Sequence, residues 1–419
     1  MKISRFASRF DINSGIVQLM DDLGNALSEN KDMLMLGGGN PSHIPEVQQF
    51  FHDKMQRVLD RPAEFAHMIG DYDPPQGNKP FLEAIAELLN TENGWDISSK
   101  NVALTAGSQA GFFLLFNIFG GECIDGIKRQ ILLPMAPEYI GYSDVGLSND
   151  LFIARKPDIE IFDDHTFKYH VNFSELNIGD NIGAICVSRP TNPTGNVLTD
   201  SEVEHLSQLA DQNGIPFIID NAYGMPFPNI VFLDVTSIWN DNTILCMSLS
   251  KIGLPGTRTG IVIANEEIIS IITRMNAVLN LSIGSVGPTI AYDLGSSGEI
   301  TRLSKTIIKP YYQNKSKLAL KLFHHELAGV DYYIHKSEGA IFLWLWFPDL
   351  PITCEVLYQR LKKRGVLIIS GHHFFPGLES DWQHKNECIR VTYSMDENVI
   401  EQGVKIIAEE VKKAFGKST

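Results

Sequence analysis

The sequence lacks the cysteine spacing of a metal or redox site: its five cysteines (Cys123, Cys186, Cys246, Cys354 and Cys388) include no C-x-x-C pair. Three lie in apolar runs, so all read as reduced core residues rather than disulfide partners or metal ligands. Histidine offers no metal motif either. His324-His325 and His372-His373 are adjacent pairs without H-E-x-x-H spacing, and no metal is expected. Positive charge is scarce, with 35 Lys and Arg against 50 Asp and Glu and a net charge of -15. That argues against nucleic acid or an anionic membrane as the main partner, while leaving room for a local basic pocket. No apolar run approaches membrane-spanning length; the densest, residues 340–347, reads as a buried strand. The basic start Met1-Lys2-Ile3-Ser4-Arg5-Phe6 is not followed by the apolar stretch of a secretory signal, so a cytoplasmic protein is expected. Internal repeats, low-complexity tracts and charge blocks are also missing, which leaves the alternation of elements to define the organisation.

That alternation is clear. Short apolar runs without polar alternation stand at 102–104, 131–133, 182–187, 217–219, 243–247 and 260–264. Such runs are strands covered on both faces. Helical patterns at 80–89, 110–119 and 201–213 separate several of them, which makes a mostly parallel α/β sheet. Past Asn265 a long helical region runs to about 327, followed by the strand at 340–347, a helix at 353–364, a strand at 366–369 and a last helix from Glu397. The expected domains are an N-terminal arm over 1–45 that joins the small domain and carries a short helix at 15–27, a large domain over 46–305, and a smaller α+β domain over 306–419.

In open α/β sheets ligands sit at the carboxyl ends of the strands. After the run ending at Val187 stands Ser188-Arg189-Pro190-Thr191-Asn192-Pro193-Thr194-Gly195-Asn196; after Ile219, Asp220-Asn221-Ala222-Tyr223-Gly224; after Leu104, Thr105-Ala106-Gly107-Ser108-Gln109. After Met247 comes Ser248-Leu249-Ser250-Lys251-Ile252-Gly253-Leu254-Pro255-Gly256-Thr257-Arg258-Thr259-Gly260. A lysine among apolar neighbours and other cations loses its proton easily, and its amine can form a Schiff base with a carbonyl. Two serine hydroxyls and an arginine fork beside it suit a phosphate. Amine and phosphate cradle together suggest pyridoxal phosphate. The spacing Ser248-x-x-Lys251 also fits a serine acyl hydrolase, but the companion S-D-N and K-T-G segments are missing.

Asn192-Pro193-Thr194-Gly195, Asp220-x-x-Tyr223 and Ser248-x-Ser250-Lys251-x-x-Gly253-x-x-Gly256-x-Arg258-x-Gly260 together resemble the class I/II pyridoxal-phosphate-dependent aminotransferases of the aspartate aminotransferase fold (fold type I). The resemblance runs from Gly37 to the Cys388-Ile389-Arg390-Val391 segment. It implies that Lys251 holds the cofactor as a Schiff base and shuttles the proton, that Asp220 pairs with the pyridine nitrogen, and that Asn192 and Tyr223 donate to the phenolate oxygen. Gly107, Ser108, Gln109, Ser248, Ser250 and Arg258 surround the phosphate in that scheme. Tyr139 stacks on the ring, and Tyr72 crosses from a neighbouring subunit, which implies a homodimer with shared sites. Arg390 grips the substrate's α-carboxylate, Asn192 lies beside it, and Gly38 and Asn40 belong to a segment that closes over substrate.

The stretch 276–292, where the aspartate-specific members would be expected to supply a second cation, has no Lys or Arg, so small apolar amino acids and their keto acids are the expected substrates. Segments such as Ala136-Pro137-Glu138-Tyr139-Ile140-Gly141-Tyr142 and Glu338-Gly339-Ala340-Ile341-Phe342 resemble one bacterial branch of the family. That branch's reaction, L-valine + pyruvate ⇌ 3-methyl-2-oxobutanoate + L-alanine, is the implied activity. An aromatic aminotransferase or a carbon–sulfur lyase would share most of these residues. A silent aldehyde-binding regulator would have no use for Arg390.

Overall fold

The non-alternating runs become strands because each lies between covered faces: every residue of Ile182–Ser188, Phe217–Asp220, Thr243–Ser248 and Gly260–Ile263 is buried. The computed structural model describes residues 33–417 and, ahead of them, residues 2–4, 7–10, 17, 20 and 24; apart from these last three positions, the helix expected at 15–27 lies outside the described residues. In chain order the described strands are β1 (Leu34–Met35), β2 (Val102–Thr105), β3 (Gly121–Glu122), β4 (Lys128–Leu133), β5 (Phe152–Ala154), β6 (Asp158–Ile161), β7 (Thr166–His170) and β8 (Ile182–Ser188). They continue as β9 (Phe217–Asp220), β10 (Thr243–Ser248), β11 (Gly260–Ile263), β12 (Tyr333–His335), β13 (Phe342–Trp346), β14 (Val366–Leu367), β15 (Ile369–Ser370) and β16 (Cys388–Thr392).

The first sheet runs β2-β11-β10-β9-β8-β4, with β3 and β5 both on β4. β8, β9 and β10 are parallel, and β11 is antiparallel to both β10 and β2. β2 therefore points the same way as β10, and the carboxyl ends of β2, β4, β8, β9 and β10 lie along one edge. Helix Asp200–Gln212, which packs on β8 and β9, starts where Thr199 and Glu202 satisfy each other's backbone N–H groups in a capping box. Helix Ser108–Phe119 packs on β4, β10 and β11.

A second sheet runs β15-β16-β13-β12-β7-β6. Its last two strands form a hairpin from residues 158–170, inside the stretch read as large domain. Asp158 and Glu160 alternate there with Ile159 and Ile161, and β7 pairs in parallel with β12 across a sequence gap that no local pattern reveals. The run 366–369 splits in two: β14 pairs with β1 and β15 with β16. With Thr392 donating to the Leu36 carbonyl (2.8 Å), these pairings seat residues 37–40 beside β16. No helix among the described residues is long and apolar enough to cross a membrane.

Candidate active site

The strand ends converge on a cavity of about 140 Å³ that holds Lys251, Asp220, Tyr223, Asn192, Tyr139 and Arg258 in its wall. Lys251 follows β10 and donates from Nζ to the Gly39 carbonyl (2.6 Å), 5.4 Å from the centre of the Tyr223 ring. Burial, with Arg390 and Arg258 nearby, pushes its amine down to about 8 against the pull of Asp220. A lysine at that value offers free amine near neutral pH.

Asp220 ends β9. Its Oδ1 accepts from the Ala222 N–H (3.0 Å) and its Oδ2 from the Tyr142 hydroxyl (2.8 Å). Burial raises the carboxyl to about 6, although the Tyr142 hydrogen bond, the Ala222 N–H and Lys251 favour its charged form. A buried acid in this state is stabilised as the anion by any cation placed against it. Sequence reasoning gave Tyr142 no role. It sits three residues from Tyr139 on the turn Ile140–Tyr142, with the two rings edge to face at 5.4 Å, and that spacing was the available signal. Phe112 and Ala222 complete the wall and were also missed.

An anion cradle lies next to this pair. Helix Ser108–Phe119 begins at Gly107 without a side-chain cap; the Ala110 and Gly111 N–H groups donate to the Gly107 carbonyl, which leaves those of Ser108 and Gln109 for an anion. Gly107 has φ +87°, and a Cβ there would lie 2.2 Å from Arg258 Nη2. Gly260 allows an equally close approach, since a Cβ on it would meet the Ser108 nitrogen at 2.6 Å. Ser248 Oγ accepts from the Ser250 N–H (3.2 Å). Gln109 donates from Nε2 to the Gly141 carbonyl (2.8 Å), while its Oε1 is buried without a partner.

Arg390, on β16, is 3% exposed. Strands β13 and β15 flank it on both sides. Its Nη1 donates to Asn192 Oδ1 (2.7 Å) and its Nη2 to the Gly37 carbonyl (2.6 Å), and the guanidinium lies 4.0 Å from the Phe342 ring centre. Nε is buried without a partner, and among the described residues no acidic side chain pairs with the group. In the glycine turn, the carbonyls touching Lys251 and Arg390 belong to Gly39 and Gly37, the neighbours of Gly38. Asn40 makes its contact through its carbonyl, which accepts from Ser394 Oγ (2.9 Å), and its side chain is exposed. Tyr72 is 81% exposed and does not line this cavity. Elsewhere Glu355, His372 and His373 bring ligand atoms within 4.8 Å of one another. Gln359 donates to Glu355 (2.8 Å) and His372 Nδ1 faces Cys354 Sγ at 3.6 Å, so two of these three already have protein partners.

The fold is the aspartate aminotransferase-like, type I fold of pyridoxal-phosphate-dependent transferases. The chain belongs to the aminotransferase class I and II family, whose sequence model matches residues 31–407. It is 49% identical over 418 residues to the valine–pyruvate aminotransferase of Escherichia coli K12, with both chains covered in full. A putative amino-acid aminotransferase from Psychrobacter arcticum 273-4 superimposes with a TM-score of 0.97 at 46% identity, covering 100% of both chains. Valine–pyruvate aminotransferase from Salmonella typhimurium LT2 does so with a TM-score of 0.88 at 48% identity, covering 96% of this chain and 100% of that one.

Proposed function

We propose that this protein is a pyridoxal-phosphate-dependent aminotransferase that exchanges the amino group between L-valine and pyruvate, giving 3-methyl-2-oxobutanoate and L-alanine. The observation that carries this reading is Arg390: a buried guanidinium with an unsatisfied Nε and no acidic partner among the described residues, in contact with Asn192 of the wall that holds the low-pKa Lys251. Such a group is suited to a carboxylate supplied by substrate. Relatives at 49% and 48% identity named for valine and pyruvate point to the same pair of substrates.

The residues present fit the cofactor. Gly107 keeps open the space that Arg258 crosses, the uncapped helix and the two serines would receive an anion, and Asp220 lines the cavity with no cation in hydrogen-bond contact among the described residues. When bound, the cofactor supplies an aldehyde for the lysine and an electron sink for the reacting carbon. Lys251, whose Nζ is the one low-pKa amine in the cavity wall, would hold the cofactor's aldehyde and would be the base that moves the proton of the substrate's α carbon. Asp220, held by Tyr142, would keep a proton on the pyridine nitrogen. Asn192 and Tyr223 would donate to the phenolate oxygen, Tyr139 would cover the ring, and Arg390 would hold the substrate's α-carboxylate. Each keto acid leaves before the other enters, so the kinetics are ping-pong.

The test is the visible spectrum of the protein loaded with pyridoxal phosphate. Addition of L-valine should bleach the band and pyruvate should restore it. A band that only an aromatic amino acid bleaches, or one that yields pyruvate and a free thiol from a sulfur amino acid, would replace this substrate assignment with the aromatic aminotransferase or carbon–sulfur lyase reading.

The reading includes a homodimer with shared sites. Tyr72 does not line its own cavity, and Ile69, Val278 (84% exposed), Leu279 and Leu281 are exposed apolar residues near it, since Asn276 donates to the Pro75 carbonyl (3.1 Å) and Ser285 to Asp73 (2.8 Å). Helices Pro45–Leu59 and Pro62–Gly70 both pack on helix Val286–Ser296. A second copy covering this face would bring Tyr72 to its partner's phosphate cradle. Light scattering should give twice the chain mass; a monomer that retains full activity would end the shared-site idea. The division at residues 45 and 305, with the 158–170 hairpin lent to the second sheet, and a cytoplasmic location are proposed with it. Limited proteolysis and cell fractionation check these two points.

A further inference from the structure

A buried ion pair outside the cavity is tied to the turn that carries Asn192. Lys168, on β7, is 6% exposed, and Glu338, just before β13, is 8% exposed. Lys168 Nζ donates to Asn196 Oδ1 (2.9 Å), to the Val197 carbonyl (3.1 Å) and to Glu338 Oε2. Glu338 Oε2 also accepts from the Val197 N–H (3.0 Å), and Asn196 Nδ2 donates to the Tyr169 carbonyl (3.2 Å). All three ammonium protons are thus used, and two of the three acceptors belong to residues 196–197.

Those residues close the turn Asn192–Gly195. Thr191 N–H donates to the Asn196 carbonyl and Gly195 N–H to the Thr191 carbonyl, both at 2.8 Å. The turn also rests on the segment after Glu338: a Cβ on Gly195 would lie 2.7 Å from the Gly339 carbonyl oxygen. The pair therefore joins the end of the first sheet to strand β7 and to the β12–β13 connection of the second. The second sheet also holds Arg390, opposite Trp344 in register and 2.7 Å from Asn192.

We propose that Lys168 and Glu338 are positioning residues that fix the Asn192 turn to the second sheet, so that Asn192 and Arg390 meet cofactor and substrate in one register. The inference rests on the reading above only in taking Asn192 to face the phenolate oxygen and Arg390 the carboxylate. Replacing a buried ion pair by apolar residues of similar size is often neutral for stability, whereas leaving one charge alone is strongly destabilising. The informative variant is therefore the double replacement Lys168→Met with Glu338→Leu, made in the full chain and loaded with pyridoxal phosphate.

Its thermal midpoint should stay near that of the unaltered protein. KM for valine and for pyruvate should each rise about tenfold, with kcat changing far less. The pH midpoint of the visible band should move up by roughly half a unit, because a displaced Asn192 no longer stabilises the phenolate by hydrogen bonding. In an Asn192→Ala background the double replacement should add almost nothing to either quantity, since both changes act through one group. A role in stability alone predicts a lower thermal midpoint with KM and spectral midpoint unchanged, or effects that add in full to those of Asn192→Ala, and either result overturns the proposal. Should the double variant not fold, Lys168→Met with Glu338→Gln, which leaves no lone charge and keeps an acceptor for the Val197 N–H, should show both shifts at smaller size; their absence there has the same force. A protein that never develops a visible band, even unaltered, would overturn the cofactor reading and this inference with it.

Discussion

Lys251→Ala will leave a folded protein that binds pyridoxal phosphate only non-covalently, without the lysine-linked visible band, and whose transamination rate is lower by at least about 10⁴-fold. Both losses follow from one atom. Nζ is the amine that joins the cofactor's aldehyde and the base that moves the α-proton, and Arg390 and Arg258, the cations that act on it, cannot replace it because neither gives up a proton. The same amine sets a pH dependence. Only the neutral form attacks a carbonyl, and burial near two arginines brings Lys251 from its ordinary value of 10.5 to about 8. The free amine is then about a tenth of the total one unit below that value and about nine tenths one unit above it. The rate at which cofactor-free protein captures pyridoxal phosphate should therefore climb from pH 7 and level off above about 9. A rate that keeps rising past pH 10 would mean an ordinary surface lysine, and a variant that keeps its colour would place the link elsewhere. Under the serine acyl hydrolase reading, the unaltered protein would be colourless from the start.

Arg390→Lys should lower kcat/KM for valine and for pyruvate alike by about 10²- to 10³-fold, within the 2–5 kcal/mol typical of truncating a buried charged pair. The visible band should remain. Lysine keeps the charge but not the geometry, since the guanidinium already spans Asn192 Oδ1 and the Gly37 carbonyl, and a single ammonium cannot hold both while presenting two parallel donors to a carboxylate. The loss should be common to both substrates because the α-carboxylate is what they share. An effect confined to one of them would show that Arg390 reads a side chain instead. Loss of the band would move it into the cofactor site.

Much of the chemistry was open to reading from the chain alone. Lys251, Asp220, Asn192 and Ser108 each stand just past an apolar run, and a parallel strand buried on both faces has to be such a run. The position of a polar residue after it therefore places that residue at the carboxyl edge of the sheet. Glycines at 107 and 260 are legible for a related reason, because close backbone approach admits no Cβ. Tyr142, by contrast, could not be distinguished from any packed aromatic until its hydroxyl was seen on Asp220. The β6–β7 hairpin gives no apolar run to read, because charged residues alternate along β6, and its partner strand β12 lies more than 150 residues further on.

What the sequence by itself determined about this protein is the set of reacting groups and the edge of the sheet where they stand, because local order along a strand decides which residue emerges at its end. Only the tertiary structure decided that Arg390 is buried and, among the described residues, without an acidic partner, that the Gly37 and Gly39 carbonyls meet it and Lys251, and that Lys168 and Glu338 pair beside residues 196–197. Each of those contacts joins residues far apart in the chain, 353, 212 and 170 positions in the three cases. Burial and charge pairing at such separations depend on how two sheets pack together, which no window of neighbouring residues encodes.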